Sequence, residues 1–300
     1  MLTQLRCASC ILDDLQGALL TEVPDIELRL RILREAMVWL GNGFDEEHIP
    51  SFYITRVHRL LKEHTGIQMP FRSLRQRCNQ AGIAIRKRVT QELAQVGDDE
   101  QRLRTIVLWA IAGNHLDFRT VGTGYNLTTD DIAVQLSTVV SKGLGTDDTE
   151  KLLAIAREKP RVLYLADNVG ELALDTLLVK ELQRHGCQVT VAVKGGPITS
   201  DAVMEDATAV GMCELAPIIL TGPDTLGLPL DEMSPDLQTK LDQADLVVSK
   251  GQANYYACSE LVRRVDAGFM CILCTKCAIA AESLGLKNPR ANVAVLLRGK

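Results

Sequence analysis

The sequence predicts an α/β protein: a Rossmann-like, mainly parallel sheet with helices on both faces, joined to a helical N-terminal part. Three observations lead there. The apolar period changes from helical to strand-like after Pro160. Beyond that point short Val/Ile/Leu runs alternate with helical stretches, the order of βαβ units, whose parallel sheets are covered on both faces. At 300 residues with 46% apolar content, the chain can bury a large core. Residues 1–158 therefore read as a helical N-terminal subdomain and residues 159–300 as the α/β domain.

In the first part, Ile26, Leu30, Leu33, Met37 and Leu40 follow helical spacing. Breaks fall at Pro24, Gly41-Asn42-Gly43, Pro50, Gly66, Pro70, Gly97-Asp98-Asp99 and Gly122-Thr123-Gly124, and no strand is expected. In the second part the expected strands are 162–166, Gln188–Val193, 246–249, 269–275 and Asn292–Leu297. The helices between them are expected at 170–185, 200–210, 235–244, 255–265 and 278–284. The loop 216–234, with Pro217, Pro223 and Pro229, reads as a surface excursion rather than a lid.

Composition excludes several classes. With 33 Lys+Arg against 38 Asp+Glu, a net charge of −5 and few aromatic residues, the chain lacks the positive field and stacking surfaces of a nucleic-acid binder. The densest basic stretch, Arg72, Arg75, Arg77, Arg86, Lys87 and Arg88, reads as a solvated helix face. No apolar run approaches the ~18 residues that span a bilayer. The N-terminal residues lack a signal-peptide core, so export is not expected. Nine cysteines, an odd number with several inside apolar runs, point to a reducing, cytoplasmic setting rather than a disulfide framework.

In open parallel sheets, ligands bind beyond the carboxyl ends of the strands. There the sequence places Asp167-Asn168-Val169-Gly170-Glu171, Lys194-Gly195-Gly196-Pro197-Ile198 with Thr199-Ser200-Asp201, Lys250-Gly251-Gln252-Ala253-Asn254, and Lys276-Cys277. Taken singly, each acid is most simply a helix cap or turn residue and each lysine a surface charge. Four successive strand ends supplying such groups are harder to explain by capping. Hard oxygen donors suit a divalent ion, and lysines suit a phosphate. Other site signatures are missing. No G-x-G-x-x-G follows a strand, and neither a phosphate-binding P-loop nor a G-x-S-x-G elbow occurs. The five histidines lack metal-ligand spacing. Cys7 and Cys10 are neighbours on one helix face, whereas Cys271 and Cys274, three apart on a strand, face opposite sides. Both thiol sets read as structural.

With these motifs in order, joined by Cys7-x-x-Cys10 and Ala112-Gly113-Asn114-His115-Leu116-Asp117, the chain resembles the damage-control phosphatases, in particular their prokaryotic branch. The resemblance implies a divalent-metal-dependent phosphatase acting on phosphomonoesters of small metabolites, either sugar phosphates or damaged phospho-metabolites. It implies Mn, Co, Ni or Mg held by Asp167, Asn168 and Asp201. It also implies Lys250 at the phosphate, with Asn254 and Lys276 beside it. Asn114 and Asp117 approach from the helical part, and Glu171, Lys194 and Gly251 complete the substrate rim. Ser200 stands where an Asn is frequent in the family, which removes one carboxamide contact. Val169, two positions after Asp167, favours attack by a metal-activated water over an aspartyl phosphate. Two alternatives stand beside this reading: a carboxyl methyltransferase using S-adenosylmethionine, and a metal- or redox-binding protein using Cys7 and Cys10.

Overall fold

The computed structural model describes residues 1–118 and 129–298, so the break expected at 122–124 lies outside the described residues. Helices α1 (Cys7–Glu22), α2 (Ile26–Gly43) and α3 (Pro50–Thr65) form a bundle. Its seam is built from residues near the four-residue helical repeat, Ile11, Leu15 and Leu19 against Ile32, Ala36 and Leu40 and against Tyr53, Val57 and Leu61. Asp25 caps α2 by accepting from the amides of Glu27 and Leu28. Next come α4 (Arg72–Leu93), α5 (Asp99–Ala112), a 3-10 turn at Gly113–Leu116, and α6 (Thr129–Ser141).

The remaining elements are β1 (Thr146–Asp147), α7 (Thr149–Arg157), β2 (Arg161–Leu165), α8 (Glu171–Arg184), β3 (Gln188–Val193), α9 (Met204–Ala209), β4 (Ile218–Leu220), α10 (Pro235–Gln243), β5 (Leu246–Lys250), α11 (Gly251–Leu261), β6 (Gly268–Cys274), α12 (Ala278–Ser283) and β7 (Asn292–Leu297). The seven strands form one sheet in the order β1-β7-β6-β5-β2-β3-β4. Every pairing is parallel except β6 with β7. Strand alternation sends Val162 and Tyr164 to the face covered by α4 through α8, and Leu163 and Leu165 to the face covered by α10, α11 and α12. One core therefore runs across position 158, since α4 and α5 pack on α8. Among the described residues no helix is long and apolar enough to cross a membrane.

Three sequence expectations change. Two short edge strands, β1 in the supposedly all-helical part and β4 inside the proline-rich loop, have only two and three residues, too few to show a period. α9 starts at Met204 rather than 200, because Asn168 bridges Asp201 and Lys194 bridges Val203, which keeps that segment extended. α11 starts at Gly251 directly after β5, four residues earlier than expected.

Candidate active site

The two acidic strand ends are held together by backbone. The Asn168–Asp201 bridge is flanked by Val169 N to Ser200 O at 2.9 Å and Ala202 N to Asp167 O at 2.8 Å. Asp167, Asn168 and Asp201 are all buried, and all three line one cavity of about 650 Å³. Asp117, Gln252 and Lys276 line it too, as do residues of α1, Cys7 and Cys10 among them.

Asp167 Oδ2 accepts from the amides of Asn168 at 2.6 Å and Asn114 at 3.1 Å. The same two amides donate to Glu171 Oε2 at 3.0 Å each. Oδ1 of Asp167 accepts no hydrogen bond among the described residues, and the residue has no ion pair there. Burial first, then the nearby Glu171 and Asp201, push its carboxyl well above the usual carboxylate range. Gly251 makes this packing possible. Its φ is +76°, and a Cβ there would lie 1.8 Å from Asp167 Oδ2.

Asp201 is tied differently. Its Oδ2 accepts from Gly227 N at 2.8 Å and lies 3.5 Å from Lys194 Nζ, while Oδ1 accepts from Thr199 Oγ1 at 3.3 Å. Lys194 Nζ also donates to Asn254 Oδ1 at 3.2 Å. Asn254 Nδ2 bonds Ala166 O at 3.0 Å and Lys250 O at 2.8 Å, locking the ends of β2 and β5 together. Ser200 Oγ donates to Asn168 Oδ1 at 3.0 Å, so this hydroxyl orients a candidate ligand. Lys276 Nζ stands 3.1 Å from Asp117 Oδ2, and its backbone N–H is fixed by Gln252 Oε1 at 2.7 Å.

Lys250 departs from its expected place at the phosphate. Its Nζ is buried between Glu171 and Asp175, 3.0 Å from Asp175 Oδ1 and 3.0 Å from Ala110 O, and it is not among the residues lining the cavity. The reason is strand phase. Lys250 lies in step with Leu246 and Val248, which face α5 and α8. Burial opposes its charge, but Asp175 and Glu171 outweigh that and hold its pKa above the ordinary lysine value. Burial likewise raises Asp175 to about 6, against the pull of Lys250.

Sequence reasoning also missed Arg75, which was read within a solvated basic face. It is buried, donating to Thr199 O at 2.7 Å and Asp201 O at 2.8 Å and pairing with Asp206. Asn79, one turn on, bonds Asp206 Oδ1 at 2.8 Å and accepts from Gly170 N at 2.8 Å. The signal was available: Arg75, Cys78, Asn79 and Gly82 share the buried stripe of α4. For the thiols, Cys271 and Cys274 do face opposite sides of the sheet.

A separate acidic group, Asp99, Glu181 and His185, brings ligand atoms within 4.8 Å of one another, a spacing that can hold a metal ion. It lies away from the strand ends and is answered by cations. Arg184 reaches Asp99 at 2.5 Å and Glu181 at 2.6 Å, and Arg102 reaches Glu181 at 2.9 Å.

Comparison with known proteins adds independent information. A family model described as the damage-control phosphatase ARMT1-like domain matches residues 3–290. An uncharacterized protein of Methanocaldococcus jannaschii is 31% identical over 283 residues, covering 94% of this chain and 91% of its own. A protein of Archaeoglobus fulgidus named damage-control phosphatase is 30% identical over 281 residues, covering 93% of this chain and 94% of its own. The crystal structure of a DUF89 family protein from Pyrococcus horikoshii superposes with a TM-score of 0.86 at 25% identity, covering 100% of both chains.

Proposed function

The chain belongs to the damage-control phosphatase ARMT1-like domain family, and from that premise we propose that it is a divalent-metal-dependent phosphatase hydrolysing phosphomonoesters of small metabolites, sugar phosphates or damaged phospho-metabolites. One observation carries the reading. Two buried carboxylates and a carboxamide converge on a cavity from adjacent strand ends, and Asp167 has no ion-paired cation among the described residues. Buried acids of like charge without a matched counter-charge are stabilised by a cation, and oxygen donors suit a hard one.

Asp167, Asn168 and Asp201 are the residues that would hold Mn, Co, Ni or Mg. The ion would supply charge neutralisation at phosphate and a bound water of lowered pKa. The protein's own groups do the rest. Lys276, across the cavity, offers a point charge to phosphate oxygens while Asp117 orients it. Asn114 and Asn168 fix Asp167 through Oδ2 and leave Oδ1 open. Lys194 and Asn254 brace Asp201, and Lys250 positions Glu171 from behind rather than meeting substrate. Leu226, Ile54 and Ile279 give the cavity an apolar side that limits bulk water. Val169 is fully buried among apolar residues, so no second acid follows Asp167 at that spacing, which supports attack by water.

Phosphate release from a sugar-phosphate and nucleotide panel, by chelator-stripped protein with each metal added back, tests the proposal. Turnover restored by metal and lost in both Asp167→Ala and Asp201→Ala is the expected result. Folded, metal-loaded protein that releases no phosphate, yet binds S-adenosylmethionine saturably, would overturn it in favour of a transferase.

A further inference from the structure

Asp201 receives a hydrogen bond from a segment that neither strand end explains. The segment runs from Thr221 to Glu232, within the loop that reads from sequence as a surface excursion. Its Gly227 N–H donates to Asp201 Oδ2 at 2.8 Å. Gly227 has φ +66°, and a Cβ there would sit 2.8 Å from the carbonyl of Ala253, so the amide reaches Asp201 only because this residue is glycine. The neighbouring Leu226 lines the cavity.

What holds the segment in place is one face of α3. Thr55, Arg59 and Lys62, at i, i+4 and i+7, each grip it. Thr55 Oγ1 accepts from Leu226 N at 3.0 Å. Arg59 donates from Nε to Asp224 Oδ1 at 3.1 Å, from Nη2 to Asp224 O at 3.2 Å, and from Nη1 and Nη2 to Glu232 Oε1 and Oε2 at 3.0 and 2.7 Å. Lys62 Nζ bonds Asp224 Oδ2 at 2.5 Å and Pro197 O at 3.0 Å, joining the segment to the β3 end. On the other side a Cβ at Gly195 would lie 1.8 Å from Gly222 O, so segment and β3 loop are in direct contact. Isolated ion pairs this close to solvent contribute little to stability. Three grips on one short segment, converging on the residues either side of Gly227, do something else: they fix an amide.

We propose that Thr221–Glu232 is a strap that orients Asp201 for metal binding through the Gly227 amide, and that Arg59 and Lys62 of α3 are positioning residues for that carboxylate. This rests on the proposed metal site. The amide and, at 3.5 Å, Lys194 hold one oxygen of Asp201, and the other, bonded by Thr199, is the one that would be left for an ion, so a loosened strap would give the carboxylate more freedom to rotate. Groups that orient a metal ligand from behind typically govern affinity by about 10–100-fold.

The test is calorimetric titration of chelator-stripped full-length protein with Mn²⁺ alone, comparing wild type with Arg59→Ala, Lys62→Ala and Arg59→Lys, beside hydrogen exchange at the Leu226 and Gly227 amides. The expected result is affinity about tenfold weaker in the two alanine variants, with faster exchange at those two amides. Arg59→Lys, which keeps a cation at Asp224, should recover part of both. A purely structural role would lower the melting temperature and leave the titration unchanged, and that result overturns the strap. Wild-type protein that takes up no divalent ion would instead remove the metal reading itself, and the strap's role with it.

Discussion

The two ends of α8 carry two acidic groups of opposite character. At its N-terminus Glu171 joins Asp167 and Asp201, and Asp167 is left with amides but no ion pair among the described residues. At its C-terminus, about 15 Å away by helical rise, Glu181 joins Asp99 and His185, and two arginines bond the carboxylates directly. The electrostatic consequences run in opposite directions. Asp167 is pushed up chiefly by burial, whereas Arg184 holds Asp99 below the usual carboxylate range. Burial opposes ionisation of Glu181, yet Arg184 and Arg102 outweigh it and its pKa falls. The lesson is that closely spaced ligand atoms do not define a metal site. The C-terminal group has the tighter geometry, but its charge is already satisfied; in the N-terminal group Lys250 pairs with Glu171 and Lys194 with Asp201, while Asp167, on the cavity, has no ion pair among the described residues.

The sharpest break of this comparison is a pair of near-isosteric changes. Asp167→Asn should lower metal-dependent turnover by about 100-fold or more, while Glu181→Gln should leave turnover unchanged. If Glu181→Gln abolished metal uptake, the centre would belong at the other end of the helix. Next in size is stability. Lys250→Met removes the cation shared by the buried Glu171 and Asp175, and denaturant unfolding should report a loss of about 3–5 kcal/mol. Arg184→Ala removes a half-exposed cation and should cost about 1 kcal/mol or less. Equal losses would mean that the two ends differ less than their burial implies. A smaller change, Gly251→Ala, combines a left-handed backbone, worth roughly 1–2 kcal/mol, with a Cβ placed on Asp167. Its Mn²⁺ affinity should fall by more than its stability alone explains; unchanged affinity would show that the carboxylate has room to retreat.

How much of this was legible follows the same physics. The strand-end motifs were readable because βαβ alternation fixes which residues stand at the carboxyl rim, and Asp167, Asn168 and Asp201 do meet there. What strand phase decides was readable too but was overlooked: Lys250 follows Leu246 and Val248 toward α5 and α8, so it supports Glu171 instead of facing the cavity. Arg75 was hidden by a charge count that ignored helical phase. The Gly227–Asp201 bond had no sequence signal, because a contact between residues 26 apart through an irregular segment depends on where α3 holds that segment. Edge strands of two or three residues leave no period to detect.

The pH dependence of stability is where the two ends oppose each other most directly. In the folded protein Asp175, beside Glu171, is raised to about 6 from an ordinary value near 3.8, chiefly by burial. It therefore keeps a proton between those values that the unfolded chain has lost. Its contribution to stability is full below about pH 4 and fades as pH rises through 6. Asp99 has the reverse sign: its folded pKa is lowered by Arg184, so its contribution is present above the ordinary carboxylate pKa and is lost on acidification. Unfolding free energies measured between about pH 4 and 7 should separate the two. Asp175→Asn should remove part of the decline seen as pH rises, and Asp99→Asn should remove part of the gain on leaving acid. A wild-type pH slope in Asp175→Asn would mean that Lys250 keeps this carboxylate ionised throughout. The N-terminal end of α8 would then hold a balanced ion pair like those at its C-terminus, and the contrast between the ends would rest on Asp167 alone.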